Sequence, residues 1–323
     1  MPARRSMLRL GATAAMVASL PLLAQSRRGV IRFLCPFAAG ATYDLLTRAV
    51  ADAVGKSLAR AAIVDNRPGA GGLIAVRALR SAPPDGTTLL QTSGSFVSLP
   101  VFMKEARFDP AKDFVPVAAF CETFSLVLAH ASLPASNMKE LVAYARANPG
   151  AVTAGTAGPN TSGDIWTAIL ARRAEADILR VPYKGAAPML LALESGEVKV
   201  AITTYTEALR SSVHAGRLKL LAVTSPRRVP ALPDVPTVSE SLSGYAIEGG
   251  WVGLHAATGT SASEVQAISA AVKSTTESAS FQAKLAGVFA EARYQDPVQF
   301  ARTAATTKAT WERIALELGV KPA

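Results

Sequence analysis

One short stretch near the start of the chain constrains the fold more than any other. A largely apolar run at residues 30–35 ends at Pro36, passes through a small-residue loop around Gly40, and continues into apolar residues at helical spacing as far as Leu58. This pattern predicts a strand, a tight loop and a helix in direct succession. The first N–H groups of such a helix lack partners within it and its dipole adds positive charge, so the loop is a predicted anion site.

A second copy of the same pattern begins at residue 151. Residues 151–154 predict a short strand, residues 155–163 form a loop of small and hydroxyl side chains, and Asp164 opens a helical segment. If the two loops lie on separate lobes and face each other, a small anion would be held between two helix starts. In each copy an aspartate, Asp44 or Asp164, lies where it could cap its helix instead of contacting a ligand.

Strands and helices alternate along most of the chain, which predicts an α/β fold in which each lobe has a mostly parallel sheet flanked by helices. A length of 323 residues favours two domains. Apolar runs at 114–121 and 124–129 would carry the chain from one lobe to the other, and residues 250–254 would bring it back. The predicted division is residues 29–124 with 251–323 in lobe 1, and residues 125–250 in lobe 2.

Further candidate ligand contacts follow from where predicted strands end. Ligands collect beyond the carboxyl ends of parallel strands, so Thr92 and Ser93 would lie beside the first loop. Tyr205 ends a predicted strand of lobe 2 and would face the same cleft. Each also has a structural alternative, because turn hydroxyls bond to their own backbone and a tyrosine at a strand end is often half-buried packing.

Composition and motif content argue against several classes of protein. The formal charge of +10 falls to +7 without the arginines at positions 4, 5 and 9, the other basic residues are scattered, and aromatics are 6%, so nucleic-acid binding is not expected. The chain has no GxSxG, Walker A or HExxH motif and no Cys/His cluster, so we expect no catalysis, cofactor or metal. Cys35 and Cys121 lie in apolar runs, which favours two buried thiols over a disulfide.

Residues 1–24 have the three-part layout of a secretory signal peptide. Three arginines precede an uncharged apolar stretch at residues 10–23, and the small residue Ala24 follows it. The stretch is short for a membrane span. The pair Arg4 and Arg5 is similar to a twin-arginine signal. We therefore expect export to the periplasm.

Several short motifs occur along the chain in a definite order. They are PFAAG at 36–40 with Asp44, NRPGAGG at 66–72, PDG at 84–86, VPYKG at 181–185 and LPDVPT at 232–237. Together with the signal peptide they resemble the Bug/TctC family, the extracytoplasmic solute receptors of tripartite tricarboxylate transporters. The likeness covers nearly the whole mature chain.

The resemblance implies a two-lobed periplasmic-binding-protein (Venus flytrap) fold that closes over a small carboxylic acid. It implies that backbone amides and waters of the two loops hold the carboxylate, and that the receptor hands the acid to membrane permease subunits or to a sensor protein. A monomer is expected, and an exported enzyme acting on a carboxylate is a third alternative. Carried over by position, the implied ligand-binding residues are Phe37, Ala38, Ala39, Gly40, Ala41 and Asp44 in lobe 1, and Thr156, Ala157, Gly158 and Thr161 in lobe 2, with Tyr205 nearby.

The chain departs from the family pattern in both loops. The family usually has glycine where Ala41 stands and near Asn160, and glycine tolerates backbone angles that other residues resist. It usually has histidine near Asp164, whose carboxylate would repel an acid and attract an amine. One hypothesis is that Asp164 selects a ligand with an amino group, and the alternative is that it caps the helix.

Overall fold

The computed structural model describes residues 29–204, 207–243, 245 and 250–320. The predicted signal peptide, residues 1–24, and Tyr205 lie outside the described residues. The strands are β1 (Ile31–Cys35), β2 (Ala62–Asn66), β3 (Thr88–Ser93), β4 (Phe114–Thr123), β5 (Ser125–His130), β6 (Val152–Thr156), β7 (Ile178–Pro182), β8 (Val200–Thr204), β9 (Leu218–Val223), β10 (Gly250–Ala257) and β11 (Glu291–Gln295). The helices are α1 (Thr42–Ser57), α2 (Leu73–Arg80), α3 (Gly94–Phe102), α4 (Met138–Ala147), α5 (Ser162–Arg173), α6 (Ala186–Glu194), α7 (Glu207–His214), α8 (Ala262–Glu277), α9 (Ala279–Ala286) and α10 (Pro297–Glu317).

These strands form two sheets. Sheet A has the order β11-β4-β10-β3-β1-β2, and sheet B has the order β7-β6-β8-β5-β9. Four of the six strands of sheet A run in one direction, as do four of the five strands of sheet B. Strands β10 and β11 run against the majority in sheet A, and β5 does so in sheet B. The predicted α/β fold with two helix-flanked sheets is confirmed, and both sheets are mixed, with parallel and antiparallel strand pairs.

The connections between the sheets bring two sheet edges together. Strand β4 ends at Thr123 and β5 begins at Ser125. Thr123 lies opposite Gly250 at the start of β10, and Ser125 lies opposite Thr204 at the end of β8. The carboxyl ends of β1 and β3 in sheet A and of β6 and β8 in sheet B therefore point toward the same junction. The chain passes from sheet A to sheet B between Thr123 and Ser125 and is in sheet A again from Gly250, close to the predicted lobe boundaries. The assignment of all residues to the two lobes stays a prediction.

Helix α10 ties the two sheets into one core. It packs against α3 on sheet A, and its Trp311 stacks on Trp166 of α5 with ring centroids 4.5 Å apart. Near its end Glu317 accepts two hydrogen bonds of 3.0 Å from Arg173, the last residue of α5. These contacts fix α5, whose first turn lies at the junction, relative to sheet A.

Two smaller features bear on expectations from the sequence. Cys35 and Cys121 are both buried free thiols, as the sequence favoured. Among the described helices, none combines the length and the apolar character that a membrane crossing requires.

Gly163, the second residue of α5, provides a test of how closely this helix packs on sheet B. A Cβ atom at this position would collide with the backbone carbonyl oxygen of Ile202 on β8. We expect Gly163→Ala to lower the free energy of unfolding by about 1–3 kcal/mol, measured by chemical denaturation. Gly94→Ala at the start of α3 is the matched control, because its Cβ would meet Thr307 and Trp311 at ordinary distances of 3.8 and 3.9 Å. Equal losses in the two variants would contradict the prediction.

Candidate binding site

The two predicted loops share one backbone design, offset by 120 residues. We call residues 36–41 the first loop and residues 157–161 the second loop. In each, an aspartate of the following helix accepts a hydrogen bond from the N–H four residues earlier, from Gly40 to Asp44 at 2.8 Å and from Asn160 to Asp164 at 3.1 Å. Three residues after each aspartate a threonine donates to the carbonyl oxygen four positions before it, at 2.7 Å in both copies. The internal repeat inferred from the sequence thus extends to individual hydrogen bonds.

The departures from the family pattern leave the turn intact. Gly40 has a φ of +81° and Asn160 a φ of +59°, so both adopt the left-handed conformation at equivalent positions. Asparagine enters this region more readily than most side chains, so the second loop does not need glycine there. Ala41 has an ordinary φ of −69°, which an alanine adopts without strain.

Both loops lead into helices that lack a side-chain cap. Ala41 precedes α1 and has no side-chain acceptor, and the Thr161 hydroxyl before α5 donates to the carbonyl oxygen of Gly158 at 2.8 Å. Asparagine, serine and aspartate side chains do cap α4, α8, α9 and α10. Helices α2, α3 and α6 also lack such a cap. Among the described helix starts, α1 and α5 combine an uncapped start with an aspartate-held loop, an arrangement suited to binding an anion.

Asp44 holds the first loop in shape. It is 1% exposed, and its Oδ1 accepts from Asn66 Nδ2 at 2.8 Å while its Oδ2 accepts from Gly40 N–H and from Arg48 Nε at 2.9 Å. Asn66 Nδ2 also donates to the carbonyl oxygen of Phe37 at 3.0 Å. Burial alone raises the pKa of Asp44, but the hydrogen bonds from Arg48, Asn66 and Gly40 outweigh it and hold the pKa below its usual value. The carboxylate bonds backward to the loop, so the predicted forward cap is wrong.

Asp164 plays the same part in the second loop. It is 8% exposed, and besides the Asn160 N–H it accepts a hydrogen bond from Arg180 Nη1 at 3.0 Å. Arg180 thus supplies the positive partner that the amine hypothesis assigned to the ligand. The structure gives that hypothesis no support, and the predicted helix cap is replaced by the bond back to Asn160.

The remaining loop residues differ in exposure. Ala38, Ala39 and Gly40 are exposed at the edge of sheet A, and Phe37, Ala41, Ala157 and Thr161 are half-buried, whereas Gly158 is buried. Thr156 at the end of β6 is 1% exposed, and its hydroxyl oxygen has no hydrogen-bond partner among the described residues. An unsatisfied buried hydroxyl directly beneath the second loop is suited to bonding a ligand or a bound water.

Thr92 and Ser93, both predicted ligand contacts, make different hydrogen bonds in the structure. Successive strand residues point to opposite faces, and the buried Thr92 hydroxyl lies 2.8 Å from His255 Nδ1 and donates to the Gly253 carbonyl oxygen at 3.3 Å. Burial lowers the pKa of His255 to about 3, so this imidazole is neutral. The predicted ligand contact of Thr92 is therefore opposed by its burial and its internal bonds. The Ser93 hydroxyl bonds to that of Ser95 at 2.8 Å at the edge of the sheet.

Sequence reasoning missed three residues that support the loops, Arg48, Asn66 and Arg180. Arg48 follows Asp44 by four residues, a helical spacing that favours an ion pair and was a usable signal. Asn66 and Arg180 come from neighbouring strands, and no spacing rule connects them to the aspartates.

A separate cavity of about 290 Å³ lies where β4 and β11 meet residues 225–229. Its charged lining is already paired, with Arg227 2.9 Å from Glu291 and Arg293 3.2 Å from Glu122. These pairs leave no unpaired charge among its charged lining residues, so the loops stay the candidate site for an anion. The described residues contain no group of three or more His, Cys, Asp or Glu side chains that could hold a metal ion.

Known proteins with the same fold were found by comparison. The model of the tripartite tricarboxylate transporter family receptor matches residues 46–320. The periplasmic binding protein BugD is 27% identical with a TM-score of 0.81, over 91% of this chain and 99% of that one. An R. palustris protein solved with adipate is 29% identical with a TM-score of 0.83, over 92% and 100% of the two chains. MatC of Rhodopseudomonas palustris, solved with malate, is 27% identical with a TM-score of 0.78, over 89% and 99%. The predicted two-lobed fold and the Bug/TctC resemblance are confirmed.

The role of Asp44 predicts how stability depends on pH. Its pKa in the folded protein lies below the unfolded value of about 4, so its stabilisation is complete above that value and is lost as the pH falls through the folded pKa. We expect Asp44→Asn to lower the free energy of unfolding at pH 7 by about 1.5–3 kcal/mol. We also expect that free energy to decline less steeply than in the unmodified protein as the pH falls below about 4. Denaturant titrations at a series of pH values measure both effects.

Asp52→Asn is the control on the same helix, because Asp52 forms an exposed ion pair with Lys56. Its unfolding free energy should follow that of the unmodified protein throughout. A decline in Asp44→Asn as steep as in the unmodified protein would exclude the assigned role.

Proposed function

The chain belongs to the tripartite tricarboxylate transporter receptor family, and we propose that it is a periplasmic receptor that captures a small organic acid between its two lobes for transport. As a member of that family it is a solute-binding receptor rather than an enzyme. The observation that carries the proposal is the pair of aspartate-held loops that lead into uncapped helices at facing sheet edges. The predicted signal peptide supports export as part of the same proposal.

The charges around the loops suit a carboxylate. Asp44 is paired with Arg48 and Asp164 with Arg180, so neither aspartate presents an uncompensated negative charge to the ligand. The backbone N–H groups of the helix starts then provide the local positive potential. The loop residues 37–41, with Thr156, Ala157, Gly158 and Thr161, are the proposed contacts.

We favour an acid with two carboxylates, one for each loop. Adipate and malate, with which two structural neighbours were solved, are both dicarboxylates. The two loops are equivalent, including the hydrogen bond from a loop N–H to an aspartate, so each loop could hold one carboxylate. Asp164 is not expected to select an amino group, since its carboxylate already accepts a hydrogen bond from the Arg180 guanidinium.

Direct hydrogen bonds alone do not account for useful affinity. Each charge-assisted bond contributes about 1.5–3 kcal/mol, so roughly three or four of them are needed to reach the gross figure of about 8 kcal/mol for micromolar binding. Association costs at least about 4 kcal/mol. Closure of the lobes about the connections at 123–125 and 250 would exclude water and add apolar contacts, which supplies the difference.

The test of this function is thermal unfolding of the mature protein with mono-, di- and tricarboxylates, aromatic acids and acidic amino acids. A ligand that binds the folded state raises the unfolding midpoint. We expect at least one dicarboxylate to raise it, with a micromolar Kd by calorimetry. No shift with any acid would overturn the proposal.

A substitution at Ala41 tests the uncapped helix start directly. Its φ of −69° and ψ of 156° already suit a capping residue. We expect Ala41→Asp to raise the free energy of unfolding by about 1 kcal/mol, since its carboxylate would accept from the first N–H groups of α1. Binding of the acid should weaken at least tenfold, because the new carboxylate occupies and repels its site. Ala41→Asn, which caps without charge, should weaken binding less, and unchanged affinity in Ala41→Asp would refute the assignment.

A further inference from the structure

Tyr43 joins the first loop to the connection between the sheets. It is the second residue of α1, and its ring stacks on Phe37 with centroids 4.4 Å apart and planes 15° from parallel. Its hydroxyl lies 3.2 Å from Thr123 Oγ1. Thr123 donates its own proton to the Gly250 carbonyl oxygen at 3.0 Å, so Tyr43 is the donor to Thr123.

Two contacts show where the phenol ring lies. Helix α1 follows β1 but packs in one apolar core with residues of β4 and β10, and this brings Tyr43 close to the end of β4. The half-buried ring packs partly against that core, stacks on Phe37 of the first loop and reaches Thr123 with its hydroxyl. The ring therefore lies between the first loop and the junction.

The equivalent helix position beside sheet B carries no ring. The residue equivalent to Tyr43 at the 120-residue offset is Gly163, and even a Cβ atom there would collide with the Ile202 carbonyl oxygen. The two loops thus share their hydrogen bonds to an aspartate but differ in the side chain at the second residue of the following helix. At this position one half carries an aromatic ring stacked on Phe37, and the other carries a glycine.

We propose that Tyr43 is a specificity-determining residue that limits the length of the acid the receptor accepts. This inference rests on the proposed function. The ring occupies space between the first loop and Thr123 that the extra methylene groups of a longer acid would need. Its stack with Phe37 offers an apolar surface to the chain of a short acid. Removing the ring opens that space beside the apolar surface of Phe37.

The experiment measures Kd by calorimetry for straight-chain dicarboxylates of four to eight carbons. One buried methylene group changes affinity roughly fourfold. We expect Tyr43→Ala to move the preferred acid to a longer chain, with the ratio of Kd for the four-carbon and eight-carbon acids changing about tenfold or more. Tyr43→Phe keeps the ring and loses only the bond to Thr123, so its preferred length should equal that of the unmodified protein.

Two further variants separate specificity from folding. Tyr144→Ala removes another half-buried tyrosine, on α4, and should leave the length preference unchanged. Tyr43→Leu retains apolar bulk and should shift the preference in the same direction as Tyr43→Ala but less, which keeps the test available if the alanine variant does not fold.

The possible failures are distinguishable. A length preference in Tyr43→Ala and Tyr43→Leu equal to that of the unmodified protein would overturn the role of Tyr43 and leave the proposed function standing. If the unmodified protein binds no member of the series, the length inference fails, and the broader acid panel decides the proposed function separately.

Discussion

The site depends on one hydrogen bond that occurs twice, from a loop N–H to the carboxylate of an aspartate four residues later. Because the aspartate bonds backward, it fixes the loop and leaves the helix start without a cap. An aspartate at the cap position itself would stabilise the helix and fill the anion site. The two helix starts thus lack a side-chain cap, at some cost in helix stability, as the proposed anion site requires.

The position of the second loop depends on contacts far from it. Helix α5 begins at that loop, and Trp166 and Arg173 further along the helix are held by Trp311 and Glu317 of α10. The Arg173 guanidinium holds the pKa of Glu317 below its usual range, so the pair stays ionised. If the lobes close as proposed, their relative motion must accommodate this stack and ion pair.

The two halves of the site are equivalent in backbone but not in side chains. Each aspartate has an arginine partner, Arg48 on the same helix in one half and Arg180 on a neighbouring strand in the other. Tyr43 lies between the first loop and the junction, whereas its counterpart Gly163 has no room for a side chain because of the Ile202 carbonyl oxygen. In the proposed receptor, selectivity would come from the residues that break the repeat.

Local patterns in the sequence were enough to determine the strand, loop and helix order, the repeat of the two loops and the family, since each depends on residues close together in the chain. Tertiary structure decided the roles of single side chains. Thr92 is turned to His255 on an antiparallel neighbour, and Asp164 is neutralised by Arg180 from another strand. The reach of Tyr43 to Thr123 spans 80 residues of sequence. Hydrogen bonds between distant segments follow from sheet order and lobe placement, which no spacing along the chain encodes.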